Sequence, residues 1–185
     1  MRLFTGLDLP AAVSASLEDL LRHLRPAARL NWSPVANLHV TTKFIGEWPA
    51  GRLDELKNAL AAVPRPSRLP IAIRGLGWFP NPHQPRVLFA AVDAPPALAD
   101  LHRATDQALV SLGVPAETKR YSPHLTLARI RETTDLGPVR QRIAQLDSVD
   151  FGRFDATGFH LYLSEPQAGG SVYTKLASFP LEPAP

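Results

Sequence analysis

Hydrophobic and polar residues change places along the chain in two rhythms. In "NLHVTTKFIG", Asn37 to Gly46, the residues Val40, Thr42 and Phe44 alternate with His39, Thr41 and Lys43. Side chains of an extended strand point to opposite faces with a period of two. The stretch therefore predicts a strand with one apolar face and one face carrying an imidazole, a hydroxyl and an ammonium. Elsewhere the period lengthens. Val13, Leu17, Leu20, Leu21 and Leu24 form the stripe of an amphipathic helix, and Leu98, Leu101, Ala104, Thr105 and Leu109 form a weaker one.

These rhythms recur. A shift of 85 residues brings "LFTGLDLP" (Leu3 to Pro10) onto "LFAAVDAP" (Leu88 to Pro95), and it puts His39 on His124 (124 − 39 = 85) and Thr41 on Thr126 (126 − 41 = 85). At a shift of 83, Leu53, Leu56, Leu60 and Val63 fall on Leu136, Val139, Ile143 and Leu146, which are helical spacings. At the same shift Gly75, Leu76, Trp78 and Phe79 fall on Gly158, Phe159, Leu161 and Tyr162. Each half thus reads strand, helix, strand, helix, strand. Two such units, each too small to stand alone, are expected to form one bilobal domain over residues 1–185 with an approximate two-fold axis. The lobes would cover about residues 1–80 and 86–165, joined by the proline-rich connection from Pro80 to Pro85, with a tail over 166–185. The expected class is α+β: mostly antiparallel sheets lining a central cleft, with helices on the outer faces.

Composition narrows the classes of function. The chain has 185 residues, of which 45% are hydrophobic and 20% charged, so it falls in the ordinary globular range. It has no cysteine, which excludes disulfides, thiolate metal sites and a cysteine nucleophile. No apolar run approaches the roughly 20 residues of a membrane-spanning helix, and Asp8 interrupts "MRLFTGLDLP" before a signal-peptide core forms. A soluble, cytoplasmic protein is expected. The net charge of +3 favours a polyanionic partner without requiring one, and there is no block of Lys and Arg to coat nucleic acid.

The second copy of the motif lies in "RYSPHLTLARI", Arg120 to Ile130. Six histidines and ten threonines in 185 positions give by chance roughly 0.3 His-x-Thr triplets; two are present, at equivalent places in the repeat. Two facing histidines, each with a hydroxyl beside it, suit phosphodiester chemistry. Imidazole titrates near pH 6.5, so one ring can be neutral and accept a proton while the other is charged and supplies one. The hydroxyls of Thr41 and Thr126 would donate to the non-bridging oxygens as charge builds there. The residues alone leave open which histidine is the acid.

At this point the chain resembles the two-histidine (2H) phosphoesterases, and among them the RNA 2',3'-cyclic phosphodiesterases also called 2'-5' RNA ligases. "NLHVTTKFIG" is similar to the first family motif, "PRVLFAAV" to the mid-chain strand and "RYSPHLTLARI" to the second motif. "GSVYTKL" is similar to the closing Gly-x-x-Tyr-x-x-Leu, here Gly170, Tyr173 and Leu176. Thr42 departs, because the family usually has leucine after the motif threonine; the alternation points it away from the cleft, so packing rather than chemistry is affected. The resemblance implies hydrolysis of RNA 2',3'-cyclic phosphate ends to 2'-phosphates, with reversible 2'-5' joining as a second activity. It makes His39 the proton donor and His124 the proton acceptor. The expected partner is an RNA end or nucleotide carrying a 2',3'-cyclic phosphate, bound by a monomer with no membrane attachment.

Other residues complete the expected site. Lys43, on the His39 face by strict alternation, is a candidate phosphate contact. Arg129 matches the arginine of the family's second motif, yet needs a bulge to reach the cleft. Arg120 is a candidate contact to the RNA backbone. Phe44, Trp78, Phe79 and Tyr162 are candidate base platforms, although aromatics at strand positions more often belong to a core. His23, His83, His102 and His160 have no hydroxyl partner at the motif spacing; His160 corresponds to Gly77 in the repeat and His83 sits in the linker, so both read as structural or surface residues. No metal or other cofactor is expected, because there is no His-Glu-x-x-His helix and neither motif carries a carboxylate. The competing readings are an RNA-end binding module without turnover and a 2H enzyme for another small cyclic phosphate or phosphodiester.

Overall fold

A computed structural model of the chain describes residues 1–131, 134–167 and 170–182, so parts of the tail over 166–185 lie outside the described residues. The first repeat forms β1 (Arg2–Leu7), α1 (Ala11–Leu24), the short β2 (Asn31–Trp32), β3 (Val40–Glu47), α2 (Leu53–Ala61) and β4 (Pro70–Phe79). The second forms β5 (Val87–Asp93), α3 (Pro96–Val110), β6 (His124–Arg129), α4 (Gly137–Ala144), β7 (Asp150–Asp155) and β8 (Gly158–Gln167), and β9 (Gly170–Pro180) follows. The architecture is α+β, as the two rhythms predict.

Helix faces follow the sequence stripes closely. The buried residues of α1 are Val13, Leu17, Leu20, Leu21 and Leu24, and burying each such leucine stabilises the fold by about 1.5–3 kcal/mol relative to exposure. In α3 the stripe includes Thr105, which is fully buried; its hydroxyl donates to the Leu101 carbonyl at 2.8 Å and so is not left unsatisfied. No helix among the described residues is long and apolar enough to cross a membrane.

Among the described residues there are two sheets, a four-stranded one in the order β3-β1-β8-β9 and a five-stranded one in the order β2-β6-β5-β4-β7, and the ladders between these strands are antiparallel. The sheets are not the two halves of the sequence. β8, from the second repeat, pairs with β1 of the first, and β4, from the first, pairs with β5 of the second. The helices cross over too: α1 packs on β7 and α3 packs on β3. The proline-rich segment 80–85, which the repeat suggests as a boundary between lobes, is the turn of the β4/β5 hairpin within one sheet. It marks where the repeat ends rather than where a lobe ends.

Strict alternation fails beside the threonine of each motif, and the β3 ladder slips a second time at Ile45. Opposite β1, Gly6 faces Thr41 and Thr5 faces Lys43, so Thr42 has no residue across from it. Opposite β5, Phe89 faces Thr126 and Leu88 faces Ala128, which leaves Leu127 without one. Each is a β-bulge, and the extra residue exchanges the faces of everything beyond it. Lys43, expected beside His39, is therefore turned into the protein: it is 4% exposed, its Nζ lies 2.5 Å from the Asp106 carboxylate, and it donates to the Pro115 carbonyl at 3.2 Å. Phe44, whose alternation suggested core, is turned out and is 61% exposed. Thr42, the departure from the family pattern, is buried with its hydroxyl 2.7 Å from that of Thr5. Ala90 and Leu127 stand at the equivalent places of the other half (90 − 5 = 85; 127 − 42 = 85). A hydroxyl pair in one half thus takes the place of an apolar pair in the other.

Candidate active site

His39 lies immediately before β3, and His124 opens β6. Each ring is fixed by the same local bond. Nδ1 of His39 lies 2.7 Å from the Asn37 carbonyl and Nδ1 of His124 lies 2.8 Å from the Ser122 carbonyl, in both cases two residues back. A carbonyl only accepts, so Nδ1 carries the hydrogen and Nε2 is left to exchange a proton.

Aromatic rings back both imidazoles. Phe4 stacks on His39 with centroids 4.5 Å apart, and Tyr173 meets it edge-on at 5.2 Å. On the other side Phe79 and Phe89 meet His124 edge-on at 5.0 and 5.6 Å and stack on each other at 4.2 Å. Tyr162 stacks on Phe4 at 5.1 Å. Phe4 and Phe89 are repeat equivalents (89 − 4 = 85), as are Phe79 and Tyr162 (162 − 79 = 83). Two glycines make room for these layers. A Cβ on Gly77 would lie 2.3 Å from the Phe89 ring, and one on Gly6 would lie 3.2 Å from the His39 ring.

Burial pushes the His39 imidazole below its usual 6.5, and the nearby charge of His124 pushes in the same direction. The hydrogen bond to the Asn37 carbonyl and the negative charge of Asp8 oppose this without cancelling it. Asp8 sits at the end of a polar chain. It accepts from the Tyr162 hydroxyl and from Lys175 Nζ at 2.5 Å, and His160 Nε2 lies 3.4 Å away. Burial pushes the Asp8 carboxyl up, but Lys175, Tyr162 and His160 together hold it below the usual carboxylate range.

A cleft of about 590 Å³ brings His39, His124, Thr41 and Thr126 together, with Phe44 and Arg129 also in its wall. The bulge at Leu127 supplies what Arg129 needs to reach it. Arg120 is exposed but does not line the cleft. Of the other expected platforms, Phe79 and Tyr162 serve as backing for the histidines, and Trp78 lies under the Arg140 guanidinium at 4.7 Å. His23, His102 and His160 all make polar contacts within the fold. The sequence reading missed Phe4, Trp32 and Ser33 as cleft residues. Phe4 was detectable, because the shift that pairs the histidines also pairs it with Phe89; Trp32 and Ser33 have no such signal. Among the described residues no group of three or more His, Cys, Asp or Glu stands together as metal ligands.

The resulting wall offers two ring nitrogens, two hydroxyls, a guanidinium and an exposed phenyl. A phosphate with an attached nucleoside suits each of these: proton transfer at the ring nitrogens, donors for its oxygens, and a surface for its base.

Comparison with known proteins finds relatives that cover nearly the whole chain. The LigT-like phosphoesterase family model matches twice, over residues 7–89 and 91–173. A curated RNA 2',3'-cyclic phosphodiesterase of Methanothermobacter thermautotrophicus is 31% identical over 183 residues, which are 98% of this chain and 99% of the relative. One of Thermus thermophilus is 35% identical over 192 aligned positions, covering 98% of this chain and 90% of the relative. A crystal structure of a Thermus thermophilus protein superposes with a TM-score of 0.79 at 30% identity, covering 99% of both chains. The crystal structure of E. coli LigT complexed with 3'-AMP has the same fold, with a TM-score of 0.76 at 24% identity and 97% of both chains covered.

Proposed function

The chain belongs to the LigT-like phosphoesterase family, and from that premise we propose that it hydrolyses RNA 2',3'-cyclic phosphate ends to 2'-phosphates with its paired histidines. The observation that carries the reading is the equivalence of the two motifs. Each presents an Nδ1-anchored imidazole and a threonine hydroxyl to one cleft. His39 donates a proton to the departing 3'-oxygen while His124 takes one from the attacking water, as in-line displacement requires groups on opposite sides of phosphorus. The Thr41 and Thr126 hydroxyls hold the non-bridging oxygens, each worth roughly 3 kcal/mol of barrier if preorganised. The Asp8 carboxylate favours the charged form of His39, and the anionic substrate adds to that pull, which suits a donor.

The reaction needs no metal in this scheme, because the two rings carry both proton transfers and the hydroxyls meet the developing charge. With a 5'-hydroxyl in place of water, the same step has that oxygen attack the cyclic phosphate, its proton pass to His124 and the 3'-oxygen leave with a proton from His39, so slow 2'-5' ligation is expected from the same site. The protein acts as a monomer in the cytoplasm on RNA ends. Incubation with a 2',3'-cyclic nucleotide in excess EDTA tests the proposal. The expected product is the 2'-monophosphate alone, identified by phosphorus NMR against authentic 2'- and 3'-monophosphates. A 3'-phosphate, or loss of turnover in EDTA, overturns it.

A further inference from the structure

The bulges at Thr42 and Leu127 are held from across the molecule. The Tyr121 hydroxyl donates to the Thr41 carbonyl at 2.8 Å, and His102 Nδ1 lies 2.6 Å from the Thr42 carbonyl. The Tyr121 and His102 rings stack at 4.2 Å with 8° between their planes, so the two donors form one unit. At the equivalent carbonyls of the other motif, the Ser33 hydroxyl donates to Thr126 at 2.7 Å and the Ser33 backbone N–H donates to Leu127 at 2.8 Å. A bulge disrupts the ladder locally and leaves backbone groups to find other partners. Tyr121 and Ser33 both come from the other motif's approach, while His102 comes from α3. Tyr121 is three residues before His124, and Ser33 is six residues before His39.

We propose that Tyr121 and Ser33 are reciprocal positioning residues. Each fixes the bulge of the opposite motif and, through it, the aim of that motif's threonine hydroxyl. Tyr121 thus acts through Thr41, and Ser33 acts through Thr126. The inference rests on the reading of the cleft as a phosphodiesterase site, since it gives the threonines their task. Neither hydroxyl exchanges a proton with substrate in this role: Tyr121 is occupied with the Thr41 carbonyl, and burial pushes its phenol up, away from ionisation. The arrangement makes each motif incomplete without the other.

The test uses Tyr121→Phe and Ser33→Ala, which remove one hydroxyl each and keep the ring stack and the backbone donor, with thermal unfolding to confirm that both fold. Turnover of 2',3'-cyclic AMP is measured in the wild-type, Thr41→Val and Thr126→Val backgrounds. Misplacing a group in the transition state lowers kcat while leaving KM nearly unchanged. The expected loss in kcat is about tenfold for each variant, with KM within about twofold. In the Thr41→Val background Tyr121→Phe is expected to cost less than about twofold, but in Thr126→Val it keeps its full cost; Ser33→Ala shows the mirror pattern. Equal factors in both backgrounds, or a rise in KM at constant kcat, overturn the proposal. Methyl NMR reads the same clamp without turnover. The Thr41 methyl should shift in Tyr121→Phe while that of Thr126 stays, and the reverse should hold in Ser33→Ala. If the wild-type protein fails to hydrolyse the cyclic substrate, the functional reading falls, and the methyl shifts still decide the positioning.

Discussion

Phe44 and Arg129 occupy the same place in the two halves of the molecule (129 − 44 = 85), each three residues beyond its motif threonine, and both line the cleft. One half offers a phenyl where the other offers a guanidinium. The two-fold relation between the motifs is thereby broken at this position, and a nucleotide is asymmetric in the same sense, with a base to one side and phosphate to the other.

Phe44→Ala should raise KM for a cyclic mononucleotide by roughly tenfold, since stacking on an aromatic is worth about 1–3 kcal/mol per base. Its inhibition by inorganic phosphate should not change. Arg129→Ala should weaken phosphate inhibition and flatten the salt dependence of oligonucleotide binding by about one phosphate contact. Competition assays with phosphate over a salt series separate the two; equal effects on phosphate would show that the residues do not divide the work this way.

Lys43 gives a contrasting expectation, because its charge is inside the protein. Lys43→Met takes the ammonium away from Asp106, whose side chain is 15% exposed and keeps some contact with water; losing a hydrogen bond to a charged group costs about 1.5–3 kcal/mol. Asp106 is held below the usual carboxylate range although burial pushes it up, because Lys43, the Glu117 N–H and His102 outweigh burial. Urea unfolding should show a large loss for Lys43→Met and substantial recovery in Lys43→Met/Asp106→Leu. A stable Lys43→Met protein with raised KM would return Lys43 to the list of substrate contacts.

The pH profile assigns the histidines. Asp8 favours the protonated form of His39, so Asp8→Asn should lower the pKa of that imidazole further. If His39 is the acid, activity is lost as pH rises through its pKa, and the alkaline limb of kcat/KM should move to lower pH while the acid limb stays. Movement of the acid limb instead would make His39 the base and reverse the roles.

His39→Ala and His124→Ala should each abolish most of the turnover, and the double variant should be little worse than either, because groups that act in one transition state are not additive. Steady-state kinetics on a cyclic nucleotide measure this. Losses that multiply would mean that the two rings act in separate steps.

The sequence makes the helices and the motif pair legible because their signals are local. The stripe of α1 is the face that the structure buries, and the His-x-Thr triplets stand at one offset in both halves. The bulges are another matter. Whether Thr42 or Leu127 pairs across a ladder is decided by the neighbouring strand, and nothing within "HVTTKF" or "HLTLAR" marks the extra residue. That is why strict alternation put Lys43 on the cleft face and Phe44, a candidate base platform, on the opposite one. The partner that holds Lys43, Asp106, is 63 residues away (106 − 43 = 63) on α3. Self-alignment is likewise blind to strand exchange, because the repeat looks the same whether β8 pairs with β5 or with β1.

That exchange bears on how such a chain can arise. A single repeat on its own would expose the edge of its first strand and leave its last without a neighbour, and unpaired edges recruit other chains. Two identical copies would satisfy both edges by trading last strands, as a domain-swapped homodimer. The present chain has that layout, with the turn between β4 and β5 serving as the tether. Tethering removes the dependence on concentration and, more consequentially, releases the copies from identity. Covalently joined copies need not stay identical, and here one half carries a phenyl and a buried hydroxyl pair where the other carries a guanidinium and an apolar pair, a difference that two copies of one chain could not hold.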